Sequence, residues 1–456
     1  MTRAAILGGP KVREARFHDR KTMGEAEEKA AVEVIRSDVL SDFLGAGGDY
    51  FLGGEKVRAF EKKWCDMYGF KHGISVNSWT SGLMVAMGAV GLEPGDEVIC
   101  TPFTMSASAT SAIFYGAIPV FADIEPDTLC LDPADFERKI TPRTKAVVVV
   151  HLLGRSADMD AIMEIARRHD VKVIEDAAQA PGVRYKGRPV GAIGDIGGFS
   201  LNFHKHIHCG EGGMLVTHDD ELARRCQLIR NHGENAVSPD EVATVPNFIG
   251  GNYRLTELQS AIGIAQLDRL EGYLETRQSL AAHMARRIES MDGLSTHQVP
   301  DDQDHAYYIF PIWYDATRVG MSRKLFVKSV LAELPEPRGF ESTPLAEGLV
   351  KPLYLLEMYQ QRRAMGRGSF PWSFQSGPGP DYSKGLCPVA EAMYERELML
   401  SPLVREPLDT TDMDDIADAM EKVLAQVSEI VDALGDAPDG GEVVTPTAVA
   451  NARGTT

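Results

Sequence analysis

Lys205 stands in the run GDIGGFSLNFHKHIHCGEGG (194–213), between His204 and His206 and close to His208 and a glycine cluster. A lysine that works as an amine must shed its proton near neutral pH. Desolvation and neighbouring positive charge both push its pKa that way, and this stretch is apolar and poor in charge. Ser200, upstream of the lysine, offers a hydroxyl to a phosphate, and the glycines let backbone approach a ligand closely. The competing readings are a plain surface lysine and, from the alternating histidines, a metal site. No sensible set of acidic ligands completes such a site, and no metal is expected.

A second group of reactive residues lies in VIEDAAQ (173–179). An apolar strand ends in Asp176, with Gln179 shortly after it. Ligands of open α/β sheets gather at the carboxyl ends of strands. A carboxylate there can pair with a protonated pyridine nitrogen and keep the ring an electron sink, which is what carbanion chemistry on pyridoxal phosphate requires. Gln179 is placed to donate to the phenolic oxygen of such a ring; the alternative is an aspartate that merely caps the next turn. A third group, VNSWTSGLMVA (76–86), runs from a strand through hydroxyl residues into an apolar helix. The free N–H groups and dipole of a helix start suit a phosphate, although Ser and Thr cap many helices that bind nothing.

These groups need elements to hold them. Apolar runs at Ile74–Val76, Glu97–Cys100, Pro119–Ala122, Ala146–His151 and Val171–Ile174 alternate with helices beginning near Thr80, Met105, Asp158 and Glu221. Met214–Thr217 adds a further strand. Near-continuous apolar strands separated by helices predict a mostly parallel α/β sheet covered on both faces. Before it, 27–37 and 55–68 read as amphipathic helices around a Gly-rich loop, 41–54, with an expected active-site or interface role. After it, Thr256 and Gln259 form a capping-box signature opening a long helix with Leu258, Ile262, Ala265, Leu270 and Leu274 as its apolar stripe. His305–Tyr314 is expected as a strand, Ser322–Leu334 as a helix, 362–385 as an irregular insertion and 412–434 as a last helix. The organisation expected is an N-terminal arm (1–26), a large cofactor domain (27–265), a smaller α+β C-terminal domain (266–435) and a disordered tail (436–456).

The bulk numbers exclude several classes. The chain has 456 residues, 44% hydrophobic and 25% charged, with a formal net charge of −19. That balance, with no dense Lys/Arg run, argues against nucleic acid. Arg167, Arg168 and Lys172 read as one solvated helix face. No apolar run is long enough to span a membrane, and the N-terminus lacks the apolar core of a secretory signal. The six cysteines form no CxxC pair, a usage that points to reduced thiols and the cytoplasm.

Taken together, PGDEVICTPFT, GAIPVFADIEP, IEDAAQA, the Ser-x4-Lys run followed by GEGG, IRNHGEN and GGNYRLTELQSAIGIAQL resemble the DegT/DnrJ/EryC1/StrS family over roughly 27–434. These are sugar aminotransferases of fold type I that depend on pyridoxal phosphate. The resemblance implies that Lys205 carries the cofactor as a Schiff base and that Asp176 partners its pyridine nitrogen. By the same match, Gln179 sits beside the phenolic oxygen and Thr80, Ser81 and Ser200 bind the phosphate. Asn252 matches an asparagine that reaches the phosphate from the neighbouring subunit, which implies a homodimer with shared active sites. Arg254 and His232 fall in matching stretches without an assigned role. Met105 stands where many members stack an aromatic on the cofactor ring, and its thioether can pack there instead. Trp79 stands where a glycine is common, and is expected in core or interface packing or against substrate. The implied reaction takes an amino group from glutamate or glutamine to a keto-sugar, nucleotide-linked, or to a cyclitol ketone, with ping-pong kinetics. The rival readings are a dehydrase of the same fold, in which the lysine is typically histidine, and a non-catalytic cofactor-binding regulator.

Overall fold

The computed structural model describes residues 2–236 and 249–436. Two helices, α1 (Glu25–Ser37) and α2 (Glu55–Tyr68), lead into an alternation of strands and helices. These are β1 (His72–Val76), α3 (Trp79–Ala89), β2 (Glu97–Cys100), α4 (Ala107–Ile113), β3 (Ile118–Phe121), α5 (Pro133–Lys139), β4 (Thr144–Val150), α6 (Met159–His169) and β5 (Lys172–Asp176). A small ribbon of β6 (Arg184–Tyr185) and β7 (Arg188–Pro189) precedes β8 (Ile196–Ser200), β9 (Gly213–Thr217) and α7 (Asp220–Arg230). Beyond the undescribed segment come α8 (Glu257–Leu267), α9 (Leu270–Ile288), β10 (Leu294–Ser295), β11 (Phe310–Tyr314), α10 (Ala316–Val319) and α11 (Arg323–Ala332). The chain continues through β12 (Ala346–Glu347), α12 (Glu357–Gln360), α13 (Pro388–Ala392), β13 (Leu398–Ser401), α14 (Thr410–Leu424) and α15 (Val427–Leu434).

The first strands form a 7-stranded sheet in the order β1-β9-β8-β5-β4-β2-β3. The run β8-β5-β4-β2-β3 is parallel, and β9 lies antiparallel to both its neighbours. The parallel strands are buried along their length except at the first residues of β4 and β5, as expected of strands covered on both faces. Their register sets Asp176 level with Val150 of β4 and Gly198 of β8. The chain from Ser200 to Gly213, which those residues pair across β8 and β9, makes an excursion off this carboxyl edge and carries Lys205 on it. A second, 4-stranded antiparallel sheet, β10-β11-β13-β12, packs with α9, α11 and α14 around its own apolar core.

Local expectations fail at several places, each with a visible cause. The capping box at Thr256 and Gln259 forms, but the helix breaks between Leu267 and Leu270. At the break, Gln266 and Arg269 turn to the carbonyl of Thr22 in the N-terminal arm. Of the predicted stripe, Leu270 is buried while Leu258, Ile262, Ala265 and Leu274 are half-buried, and α8 itself buries Ser260, Ala261, Gly263 and Leu267. The reason is close approach: a Cβ on Gly263 would stand 2.7 Å from the ring of Phe60. The strand expected over His305–Tyr314 is ordered as a strand only from Phe310, because Tyr307 is in the left-handed region (φ 45) and bends the chain towards Lys205. The last helix divides at Gln426, whose side chain accepts the N–H of Ala4 at 2.8 Å. The insertion 362–385 packs Trp372 and Tyr382 on Tyr359 and Phe121 at the β3 edge of the sheet. Of the tail expected over 436–456, Asp436 is held against α11, its carboxylate accepting the N–H and the hydroxyl of Ser322 at 2.7 and 2.9 Å, and 437–456 lie outside the described residues.

Candidate active site

Lys205 is buried, with 8% of its surface exposed, in a cavity of about 180 Å³ at the carboxyl edge of the sheet. The cavity is also lined by Thr80, Met105, Asp176, Gln179 and Ser200, so tertiary structure gathers most of the predicted set around the amine. The Nζ of Lys205 sits 4.2 Å from the centre of the Tyr308 ring. Burial pulls the amine down to about 8, against the charges of Asp176 and Glu341, which favour its protonated form. At pH 7 that leaves about a tenth of the amine neutral, hundreds of times more than an ordinary lysine. The neutral, reactive fraction grows as pH rises through 8. Labelling of Lys205 by a small acylating reagent, read by peptide mass, should therefore rise with an inflection near pH 8. An inflection at the ordinary lysine value would contradict this account of the site.

The loop carrying Lys205 is clamped from outside. Arg20 of the N-terminal arm donates to the carbonyls of Lys205 (2.6 Å) and His206 (2.7 Å), and its Nε donates to Glu406 at 3.0 Å. Glu406 also pairs with buried Arg277, whose guanidinium donates to the carbonyls of Tyr307 and Tyr308. One carboxylate thus ties the lysine loop to the segment bearing the ring beneath it. Nothing in local sequence announces this clamp, because its members lie hundreds of positions apart.

Asp176 is fixed by donors on both oxygens. The Nε1 of Trp79 donates to Oδ1 at 2.7 Å, and the hydroxyl of Ser108 donates to Oδ2 at 2.7 Å. Trp79 is buried, as its core reading predicts, yet it holds the acid, a role the sequence reading missed. Its ring fills space left by Gly198, where a Cβ would lie 2.5 Å from the indole and 2.1 Å from the carbonyl of Met214. Behind the site, Glu175 accepts from His151 Nε2 and from the N–H groups of Gly191 and Gly194, while His151 Nδ1 accepts from Ala157. Gln179 Oε1 accepts the N–H of Leu153 at 2.6 Å. That bond spends the amide oxygen and leaves the NH₂ as the group to offer a ligand.

Towards the start of α3, Thr80 and Ser200 line the cavity with Ser78, Asn202 and Glu211, and the sequence singled out none of the last three. Ser78 caps α3, its hydroxyl accepting the N–H of Ser81 at 3.1 Å. Ser81 itself is outside the lining, and its hydroxyl donates to Asn77 at 2.6 Å. Asn252 is exposed and also outside the lining; its Oδ1 accepts from Arg254, and its backbone carbonyl accepts from Asn77. Met105 lines the cavity but is 60% exposed, with its Sδ accepting the N–H of Ala107 at 3.0 Å. His204 is half-buried, and burial lowers it to about 4, so it is neutral at pH 7. Among the described residues no group of His, Cys, Asp and Glu could hold a metal ion, and no helix is long and apolar enough to cross a membrane.

These residues fit pyridoxal phosphate by their chemistry: a buried amine, an anchored carboxylate, an amide donor and a helix start face one cavity. Comparison with known proteins agrees. The sequence profile of the DegT/DnrJ/EryC1/StrS aminotransferase family matches residues 41–421. GDP-perosamine synthase of Caulobacter vibrioides is 39% identical over 67% of this chain and 79% of its own. The L-glutamine:2-deoxy-scyllo-inosose aminotransferase of Micromonospora echinospora is 33% identical over 94% of this chain and all (100%) of its own. The solved structure of an aminotransferase from Psychrobacter cryohalolentis superposes with a TM-score of 0.75 at 28% identity, covering 90% of this chain and 100% of that one.

Proposed function

Because the chain belongs to the DegT/DnrJ/EryC1/StrS aminotransferase family, we propose that it moves an amino group from glutamate or glutamine to a keto-sugar or cyclitol ketone. Pyridoxal phosphate is the cofactor in this reading, and Lys205 is both its covalent anchor and the proton carrier. The observation that carries it is one cavity holding a buried amine of lowered pKa and a doubly anchored carboxylate. When bound, the cofactor supplies a carbonyl for the amine and a ring that accepts an electron pair.

The chain's residues then have distinct tasks. Asp176 holds a proton on the pyridine nitrogen, and its own position is set by Trp79 and Ser108. Thr80, Ser200 and the N–H groups at the start of α3 bind the phosphate. The amide of Gln179 donates to the phenolic oxygen. Lys205, once released, takes the proton from the donor's Cα and returns it later in the cycle as an acid. The Arg20–Glu406–Arg277 clamp keeps the lysine loop in place while the amine moves. We also infer a homodimer: exposed Leu44 and Tyr50, the half-buried stripe on α8 and exposed Asn252 present a face that a second copy would cover. The cytoplasm is the compartment in this reading, in keeping with six unpaired cysteines.

The test is spectroscopic. Glutamate or glutamine added to the cofactor-loaded protein should convert the visible band to that of the pyridoxamine form, with release of the matching 2-oxo acid. A panel of nucleotide-linked keto-sugars and inosose-type cyclitols should then restore the original band with the true acceptor. Failure of both donors to change the spectrum would remove this reading.

A further inference from the structure

A second cavity, of about 450 Å³, adjoins the first. It is lined by Phe17, Arg20, His208, Glu341 and Arg405, together with His204, which also lines the Lys205 cavity. At its wall the guanidinium of Arg405 grips Glu341 twice. Nη1 donates to the carboxylate Oε2 and Nη2 to the backbone carbonyl, each at 2.5 Å. The two partners are held very differently. The Arg405 side chain is 8% exposed, whereas that of Glu341 is 39% exposed and rides on a three-residue turn, Phe340–Ser342. The cation is built in; the anion sits on a partly exposed surface turn.

The surroundings want an anion there. Arg20, Arg277 and Arg405 lie within electrostatic reach of one another; Glu406 and Glu341 are the carboxylates that act on Arg277 and Arg405, and Asp19 also lines the cavity. If Glu341 swings away, a buried surplus of positive charge remains beside a cavity, and burying unpaired charge is costly. A planar guanidinium matches a carboxylate with two parallel hydrogen bonds. The Glu341 carboxylate is also close enough to act on Lys205, His204 and Tyr308, so a group that replaced it would lie at the edge of the reaction centre.

We propose that Arg405 anchors a carboxylate of the amino-acid donor, and that the Glu341 side chain is an internal competitor for that anchor. The choice of an amino acid as ligand rests on the transaminase reading; the carboxylate subsite itself does not. Donor binding must then displace Glu341, so its apparent affinity is reduced by the fraction of molecules in which Glu341 holds the arginine. The internal pair keeps the arginine neutralised between turnovers and makes the Phe340–Ser342 turn respond to donor binding.

The experiment uses glutarate, a dicarboxylate with the carbon chain of glutamate but no amine to transfer, titrated calorimetrically into the cofactor-loaded full-length protein. Glu341→Gln keeps shape and removes the competing charge, so glutarate should bind roughly tenfold more tightly than to the parent protein. Arg405→Gln should weaken binding by roughly tenfold or more, and Arg405→Lys should recover part of it. Both Arg405 variants must keep the cofactor band, which separates loss of the anchor from loss of the fold. The proposal is overturned if Glu341→Gln binds no more tightly than the parent, if a folded Arg405→Gln binds equally well, or if no variant binds glutarate. If the glutarate series behaves as expected while glutamate and glutamine leave the parent spectrum unchanged, the subsite stands and the transaminase reading falls.

Discussion

Lys205→Ala protein is expected to hold pyridoxal phosphate only non-covalently and to transfer amino groups at least about a thousandfold more slowly than the parent. The amine is held over the Tyr308 ring in the cavity, and burial keeps part of it neutral at physiological pH. Its removal takes away both the anchor and the group that moves the proton at the donor's Cα. The substitution should be gentle on the fold. The clamp from Arg20 grips backbone carbonyls of Lys205 and His206, which alanine leaves in place. Gel filtration and thermal unfolding should therefore be close to the parent. Single-turnover spectra with glutamate would measure the loss, and partial rescue by a small exogenous amine would identify a missing base rather than a damaged site. Turnover within tenfold of the parent would assign the proton transfer elsewhere.

Asp176→Asn is expected to cost about a hundredfold to a thousandfold in the same half-reaction, the scale of removing one partner from a buried charge pair. Asparagine keeps the shape and can still accept from Trp79, so the measured loss reports the charge rather than the scaffold. The Trp79→Phe variant asks a finer question. It keeps most of the ring that fills the space beside Gly198 and deletes the indole N–H, leaving Oδ1 with only the longer bond from the N–H of Ala178 at 3.2 Å. A hydrogen bond to a charged group contributes about 1.5–3 kcal/mol, so roughly tenfold or more should be lost, in kcat rather than in donor affinity. The order of effects is the informative part. A phenylalanine variant indistinguishable from the parent would return Trp79 to plain core packing, and an asparagine variant near parent activity would remove Asp176 from the reaction.

Much of this protein was legible in its residues. Apolar runs three to six residues long, separated by helices, set out a parallel sheet, because a strand buried on both faces has few polar positions to spare. Motifs sitting at strand ends marked Asp176, Gln179, Ser200 and Thr80, and these line the Lys205 cavity. Periodicity was a poorer guide in the second half. The stripe on α8 is only partly covered, with Ile262 at the margin of the core, since helices that approach closely bury small residues such as Gly263 at the contact. The breaks at Arg269 and Gln426 arise from side chains that bond the distant N-terminal arm, which no window of local sequence contains.

Residue types and their local spacing establish which chemistry is available: a lysine in an apolar glycine-rich run, an acid at a strand end and a helix start suited to phosphate. Such features are local, and backbone preferences with side-chain type suffice to specify them. How those groups are tuned follows from packing in three dimensions. Trp79 and Ser108 meet at Asp176, Arg20 reaches the carbonyls of the lysine loop, and Arg405 closes on Glu341 across a turn. Each of these contacts joins segments far apart in the chain. Hydrogen bonds and charge pairs depend on distance in space, and that distance exists only once the cores of both sheets have packed.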